Sequence, residues 1–273
     1  MSFRRPPDGL TNMKRNLALE FFLVCVLSSS TLLSPRASAD GEVSMSLGAE
    51  YTSGDYGTSS KTNIWYFPVT LRYETDVDIV SVTVSYLSVE GTGSVVPSGG
   101  MSGMRRPTTR TDVRTETGFG DVVLTGSHKI AGTATSRVDL TGMIKLGTAD
   151  EKDNLGTGEN DYAVQLDLEK TDSVNSVFGS VGYKILGDPP GTDYWNVFYG
   201  SIGLSHRLDA ARTAGLMFDA QQAVLSGASR ESELSLFLSS KIDKKAKLTG
   251  YVVKGFTHGS PDWGLGVTLK LIQ

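Results

Sequence analysis

Between Glu42 and Ile272 the chain repeats one pattern, an apolar residue at every second position, sustained over runs of about ten to fifteen residues. Leu234, Leu236 and Leu238 alternate with Glu233, Ser235 and Ser239, and Tyr162, Val164, Leu166 and Leu168 with Ala163, Gln165, Asp167 and Glu169. Trp263, Leu265, Val267, Leu269 and Leu271 alternate with Gly264, Gly266, Thr268 and Lys270. Successive side chains on a strand point to opposite faces, so each run is a two-faced strand. An amphipathic helix would need spacings of three and four. The runs exceed the ~5–6 residues usual for soluble strands. They suit strands that cross a bilayer at a tilt, which need ~9–11.

Twelve such segments are expected, at about 42–51, 62–74, 77–88, 117–130, 136–147, 161–171, 175–186, 193–207, 212–222, 231–241, 246–256 and 262–272. Connections alternate between short ones, such as Thr75-Asp76, and longer ones, such as 89–116 and 148–160; the short 257–261 is the exception. Bacterial barrels have short periplasmic turns, longer outer loops and an even strand count. The expectation is therefore all-β: a 12-stranded antiparallel up-and-down transmembrane β-barrel with both ends periplasmic. A mean hydropathy of −0.12 is compatible, since only alternate strand residues need be apolar. A large soluble β-sandwich is the rival, and strand length and one-sided long loops count against it. Tyr51, Trp65, Tyr66, Phe67, Tyr162, Tyr194, Trp195, Tyr251, Phe256 and Trp263 fall near the expected outer ends, as an interfacial girdle would. Tyr73 and Phe178 are the candidates for a thinner periplasmic girdle.

Residues 1–39 read differently. Arg4, Arg5, Lys14 and Arg15 precede an apolar run from Leu17 to Leu33, and Ala37-Ser38-Ala39 offers a small-x-small cleavage site. That order is a secretory leader, and the clean apolar core, Phe21–Leu27, is far short of the ~20 residues of a spanning helix. The expected organisation is a cleaved signal peptide, 1–39, and an outer-membrane barrel, 40–273, with no plug before the first strand. The single cysteine, Cys25, lies in the leader, which leaves no cysteine for disulfides or metal sites. A net charge of −4 gives no electrostatic footprint for nucleic acid. The expected surroundings are outer-membrane lipid, lipopolysaccharide and the assembly machinery that inserts barrels.

An apolar exterior assigns the other face to the interior. It carries Arg72, Asp139, Lys145, Gln165, Asp167, Glu169, Lys184, Asp219, Gln221, Glu233 and Lys270. Such residues either line a pore or fill a closed barrel with a salt-bridge network; barrels of ~8 strands fill with side chains and those of 16–18 leave channels. Arg105, Arg106, Arg110 and Arg114, in the long loop 89–116, form either a constriction in the mouth or a solvated loop. The acidic loop residues Asp150, Glu151, Asp153, Glu159 and Asp161 lack EF-hand spacing and read as solvated, so no metal or cofactor is expected. His258-Gly259-Ser260 has the order of the outer-membrane phospholipase family. A nucleophile needs a base oriented by a third group, and none is identifiable, so no enzyme is expected.

Two stretches carry a resemblance. Gly118-Phe119-Gly120-Asp121-Val122-Val123-Leu124 opens the fourth segment. Lys145-Leu146-Gly147-Thr148-Ala149-Asp150, then Asn154-Leu155-Gly156-Thr157-Gly158 and Asp161-Tyr162, bridge the fifth and sixth. Together they resemble the outer-membrane family named for the meta-pathway of phenol degradation, although Gly147 and Ala149 stand where proline and glycine are common. The match covers residues 118–170. It implies an outer-membrane channel passing small molecules, hydrophobic or aromatic ones among them, by passive diffusion. The chain ends on Leu271-Ile272-Gln273 rather than on the phenylalanine many such barrels carry. A structural or secretion-partner barrel with a blocked lumen remains the alternative.

Overall fold

A computed structural model of the chain describes residues 41–273 apart from 94, 98–102 and 106–111. The expected leader and its cleavage site lie outside these residues. The elements are β1 (Glu42–Gly54), β2 (Thr62–Glu74), β3 (Asp78–Gly91), β4 (Val95–Pro97), β5 (Gly103–Arg105), β6 (Arg114–Phe119), β7 (Val122–Gly132) and β8 (Ser136–Leu146). There follow β9 (Asp161–Thr171), β10 (Asn175–Ile185), β11 (Val197–Arg207), β12 (Arg212–Gln221), β13 (Glu231–Lys241), β14 (Ala246–Gly255) and β15 (Trp263–Ile272).

Apart from β6 and β7, which both pair with β3, consecutive strands of the large sheet pair antiparallel, and β1 pairs with β15, from Ser44 opposite Ile272 to Ser53 opposite Trp263. The sheet therefore closes on itself. β3 pairs with β7 along its first half and with β6 along its second, so β6 and β7 form one stave of a twelve-stave barrel. β4 and β5 form a separate hairpin inside the loop 92–113.

The pleat sets the barrel's polarity. On β2 the apolar Trp65, Phe67, Val69 and Leu71 are 38–50% exposed, while their neighbours are more covered. On β11 the outward residues are Phe198, Ile202 and Leu204, all at least half exposed. Water around such a belt would be costly at ~25 cal/mol per Å²; lipid removes that cost, so the barrel spans a membrane.

Three local features depart from the expected segmentation. The fourth segment breaks at Gly120-Asp121, where Gly120 donates its N–H to Ser85 O at 2.9 Å. A Cβ at Gly120 would stand 2.4 Å from Ser85 Oγ, so only glycine lets the stave bend there. β11 starts at Val197, not at residue 193, because Tyr194 N–H is taken by Asp188 Oδ1 at 2.8 Å in the preceding loop. β7 also carries a bulge between Lys129 and Ala131.

The turns at the opposite end are capped by aspartates. Asp172 Oδ1 accepts the N–H groups of Val174 and Asn175, at 2.8 and 2.7 Å. The Asn175 side chain and these two amides hold the Asp172 carboxyl down at about 2. A depressed carboxylate stabilises above its unfolded value and loses the effect as pH falls through the folded one. The protection of the Val174 and Asn175 amides, measured as exchange relative to an unstructured chain at the same pH, should therefore hold in mild acid and fall only towards pH 2.

Candidate channel lumen

Strand register stacks the inward residues into rows. One row runs Asp139, Asp167, Ser180, Ser201, Asp219, Glu233 and Gly255, each directly opposite the next from β8 to β14. The adjacent row runs Thr141, Gln165, Gly182, Tyr199, Gln221 and Glu231. Between them lies a cavity of about 350 Å³, whose lining includes Gln165, Ser180, Tyr199, Asp219, Glu231 and Glu233. Small residues at Ser180 and Ser201 leave this space open, while the Tyr199 ring lies over Gly182.

The polar groups along these rows are partly tied down. Asp167 accepts from Thr141 Oγ1 and from Gln165 Nε2, and the Thr141 oxygen in turn meets the Ser127 hydroxyl at 2.9 Å, which is left to donate. Lys184 donates to Gln221 Oε1 at 2.8 Å and lies 5.2 Å from the Tyr199 ring centroid, a cation–π distance. On the far wall Glu50, 5% exposed, accepts the Tyr251 hydroxyl at 2.6 Å. Tyr251 reaches it by lying over Gly266, where a Cβ would meet the ring at 2.3 Å.

Five loops at the long-loop end of the barrel fold into two buried clusters. Tyr56, Val95, Ala149 and Leu155 pack with Ile64, Leu87 and Val89 in one buried cluster. Leu186, Tyr194, Val197 and Val224 form a second cluster from the loops 186–196 and 222–230. Both lie at the end of the barrel that carries the long loops.

An ion triad anchors this arrangement. Lys145 Nζ lies 3.2 Å from Asp121 and 2.9 Å from Asp161, and all three side chains are at most 3% exposed. Asp121 also accepts Ala149 N–H at 2.9 Å, and Asp161 accepts Gly187 N–H at 3.0 Å. One cluster therefore joins the ends of three staves to two loops. Gly147 passes the returning loop so closely that a Cβ would stand 2.5 Å from Gly158, itself left-handed with φ +73°. Asp121, Lys145, Gly147, Ala149, Gly158 and Asp161, which belong to the stretches that carried the family resemblance, take part in this anchor.

The inward residues named from the sequence thus separate into groups. Gln165, Asp167, Asp219, Gln221 and Glu233 line the middle and outer lumen, with Lys184 beside them. Lys145 does not; it is sealed under the loop 148–160. Arg72, Asp139 and Lys270 sit near the short-turn rim, where Arg72 pairs with Glu74 at 2.9 Å, Arg137 with Asp139 at 2.7 Å and Lys270 with Glu42 at 3.5 Å. Glu169 accepts from Thr171 at the same end. Arg114 is exposed and paired with Asp112, Arg105 closes β5, and Arg106 and Arg110 lie outside the described residues. Glu50, Glu231 and Tyr251 were missed, although alternation from Tyr51 and from Glu233 places the two acids inward.

The aromatic girdle is corrected in part. Trp65, Phe67, Trp195, Phe256 and Trp263 are exposed on the outside, and Tyr51 packs between Trp65 and Trp263 at 5.0 and 5.3 Å. Tyr66 and Tyr251 point inward by parity, and Tyr194 is buried under a loop. At the other end Tyr73 is exposed, but Phe178 lies inside, over Gly203.

His258 and Ser260 do not form a catalytic pair. His258 is 77% exposed and nearest to Asp55 at 3.7 Å. Ser260 is buried, and its Oγ accepts from Ser232 N at 2.9 Å and donates to Ser232 O at 3.2 Å. A hydroxyl held by backbone at both its donor and acceptor sides is a strut. Replacing His258 by Ala should leave phospholipid turnover by the purified protein at background; a measurable fall from an active starting level would reinstate the pair.

The sequence matches no family model and no curated protein. Solved structures do match. An outer-membrane channel from Pseudomonas putida F1 superposes with a TM-score of 0.65 at 11% identity, covering 88% of this chain and 98% of that one. The KdgM porin superposes with a TM-score of 0.51 at 12% identity, covering 84% and 98%. The fold is that of outer-membrane barrels. At such identities the likeness concerns the backbone path, and the lining described above belongs to this chain.

Proposed function

We propose that the protein is an outer-membrane channel through which small molecules diffuse passively. The observation that carries this reading is a closed barrel with an apolar outside and a polar cavity on the inside. The barrel type of its structural neighbours supports the outer membrane as its location, as do the leader-like residues 1–39. Outer-membrane lipid, lipopolysaccharide and the assembly machinery are then its partners. Tyr199, Tyr251, Phe178 and Tyr66 on the inner wall offer surfaces for apolar or aromatic solutes, in keeping with the resemblance of residues 118–170. Purified protein in a planar bilayer should give discrete conductance steps, and proteoliposomes should take up small solutes faster than empty vesicles. Absence of both would overturn the channel reading.

A second reading has its own support. The two apolar clusters at the outer mouth would also suit a barrel whose lumen is stoppered and whose surface engages a partner. It predicts silence in the bilayer together with a defined crosslinked species at the rim.

A further inference from the structure

The inner wall is electrically lopsided. Between the Lys145 triad and the short-turn rim, the inward strand positions carry Glu50, Asp167, Asp219, Glu231 and Glu233. Among the described residues, Lys184 is the only base on inward strand positions in that stretch, and it is engaged with Gln221 and Tyr199. Lys145 is spent on two buried carboxylates.

Register sharpens the point. Asp219 stands directly opposite Glu233 on the next strand, and Asp139 directly opposite Asp167. Like charges so placed destabilise a sheet. The second pair is relieved by Arg137 on Asp139 and by hydroxyl and amide donors on Asp167. Asp219 has no hydrogen bond or ion pair among the described residues, and it opens onto the 350 Å³ cavity. Ser235 adds a separate observation: it is on the same inward face two residues from Glu233, 4% exposed, and its Oγ has no partner. Asp219, open to the cavity and abreast of Glu233, makes this stretch of the lumen attractive to a cation and its water.

We infer that the lumen passes cations in preference to anions, with Asp219 and Glu233 as the residues that set the preference. This rests on the channel reading. Rings of Asp and Glu side chains are a general means of cation selection. Arg72, Lys129, Arg137, Lys247 and Lys270 lie towards the short-turn rim, where water screens charges over about 8–10 Å. The outer half therefore governs the choice. An amine-bearing solute is favoured over a carboxylate-bearing one of equal size.

The test is the reversal potential of the full barrel in a bilayer under a tenfold potassium chloride gradient. The expected sign is that of potassium entry, with potassium several-fold more permeant than chloride. Asp219→Asn with Glu233→Gln should at least halve that ratio. Single-residue controls at the rim, such as Lys247→Gln, should move it far less. Heat-modifiable migration on gels checks that each variant closes its barrel, and Asp219→Asn alone serves if the double variant does not. A conducting barrel that prefers chloride, or whose ratio ignores both substitutions, overturns the inference while leaving the channel intact. A barrel that conducts nothing overturns the channel and the inference with it.

Discussion

Replacing Lys145 by Met is expected to destabilise the barrel by about 3–5 kcal/mol, the usual effect of removing one partner from a buried ion cluster. The cause is local. Asp121 and Asp161 would keep their burial and lose the charge between them, which lies within about 3.2 Å of both carboxylates. Neither can turn to water without releasing Ala149 or Gly187, whose amides they hold. The loop 148–160 should then become accessible to protease before the staves melt. Denaturant unfolding in lipid vesicles measures the first effect and limited proteolysis the second. Changing Asp121, Lys145 and Asp161 together to neutral residues of similar volume should recover most of the loss, since such a replacement is often neutral or better. A Lys145→Met protein with wild-type stability and an intact loop would remove the triad from its anchoring role.

Ile202→Arg is expected to cost about 2–4 kcal/mol, the penalty for a cationic side chain on the lipid face near mid-membrane. Ile202 is 60% exposed at the centre of β11, and its neighbour Ser201 faces the lumen opposite Ser180 and Asp219. Ser201→Arg is the matched control. It should cost much less stability, because Asp219 lies abreast of it, yet it should lower conductance. Refolding yield into vesicles and the unfolding midpoint report the two variants. Equal penalties at 201 and 202 would contradict a barrel with lipid outside and water inside.

Much of this fold is legible in the sequence because a pleated strand has a period of two, and a buried or lipid-facing row makes that period visible. The segments 62–74, 161–171 and 231–241 are found with the bounds of β2, β9 and β13. The break at Gly120-Asp121 slips the period by one, since Phe119 and Leu124 both face outward, and the slip is masked by the apolar run Val122-Val123-Leu124; its cause is a backbone contact with Ser85. The hairpin of β4 and β5 escapes for a related reason: three-residue strands are too short to show alternation. Inward polarity is legible, but its division into lumen, rim and anchor is not. Lys145 and Lys184 read alike on paper. What separates them is the loop 148–160 folding over one and leaving the other beside the cavity. Aromatics mislead for the same reason: Trp65 and Tyr66 are adjacent in sequence and lie on opposite sides of the wall.

The pairing of β1 with β15 has a consequence for how such a molecule comes into being. Ser44 meets Ile272, so this seam joins the parts of the described chain most distant in sequence, and closing so long a loop is entropically the slowest kind of contact to gain. Every other stave can zip to its predecessor as a hairpin. Until the last one arrives, β1 and its growing partner sheet present two open edges of unpaired backbone groups, the kind of surface that templates aggregation. The birth of the barrel is therefore a race between circularisation and mispairing, and an insertion factor that shelters the edge of β1 would decide it. Substitutions along the seam, at Leu47 or Val267, should slow insertion more than equally conservative changes between β10 and β11.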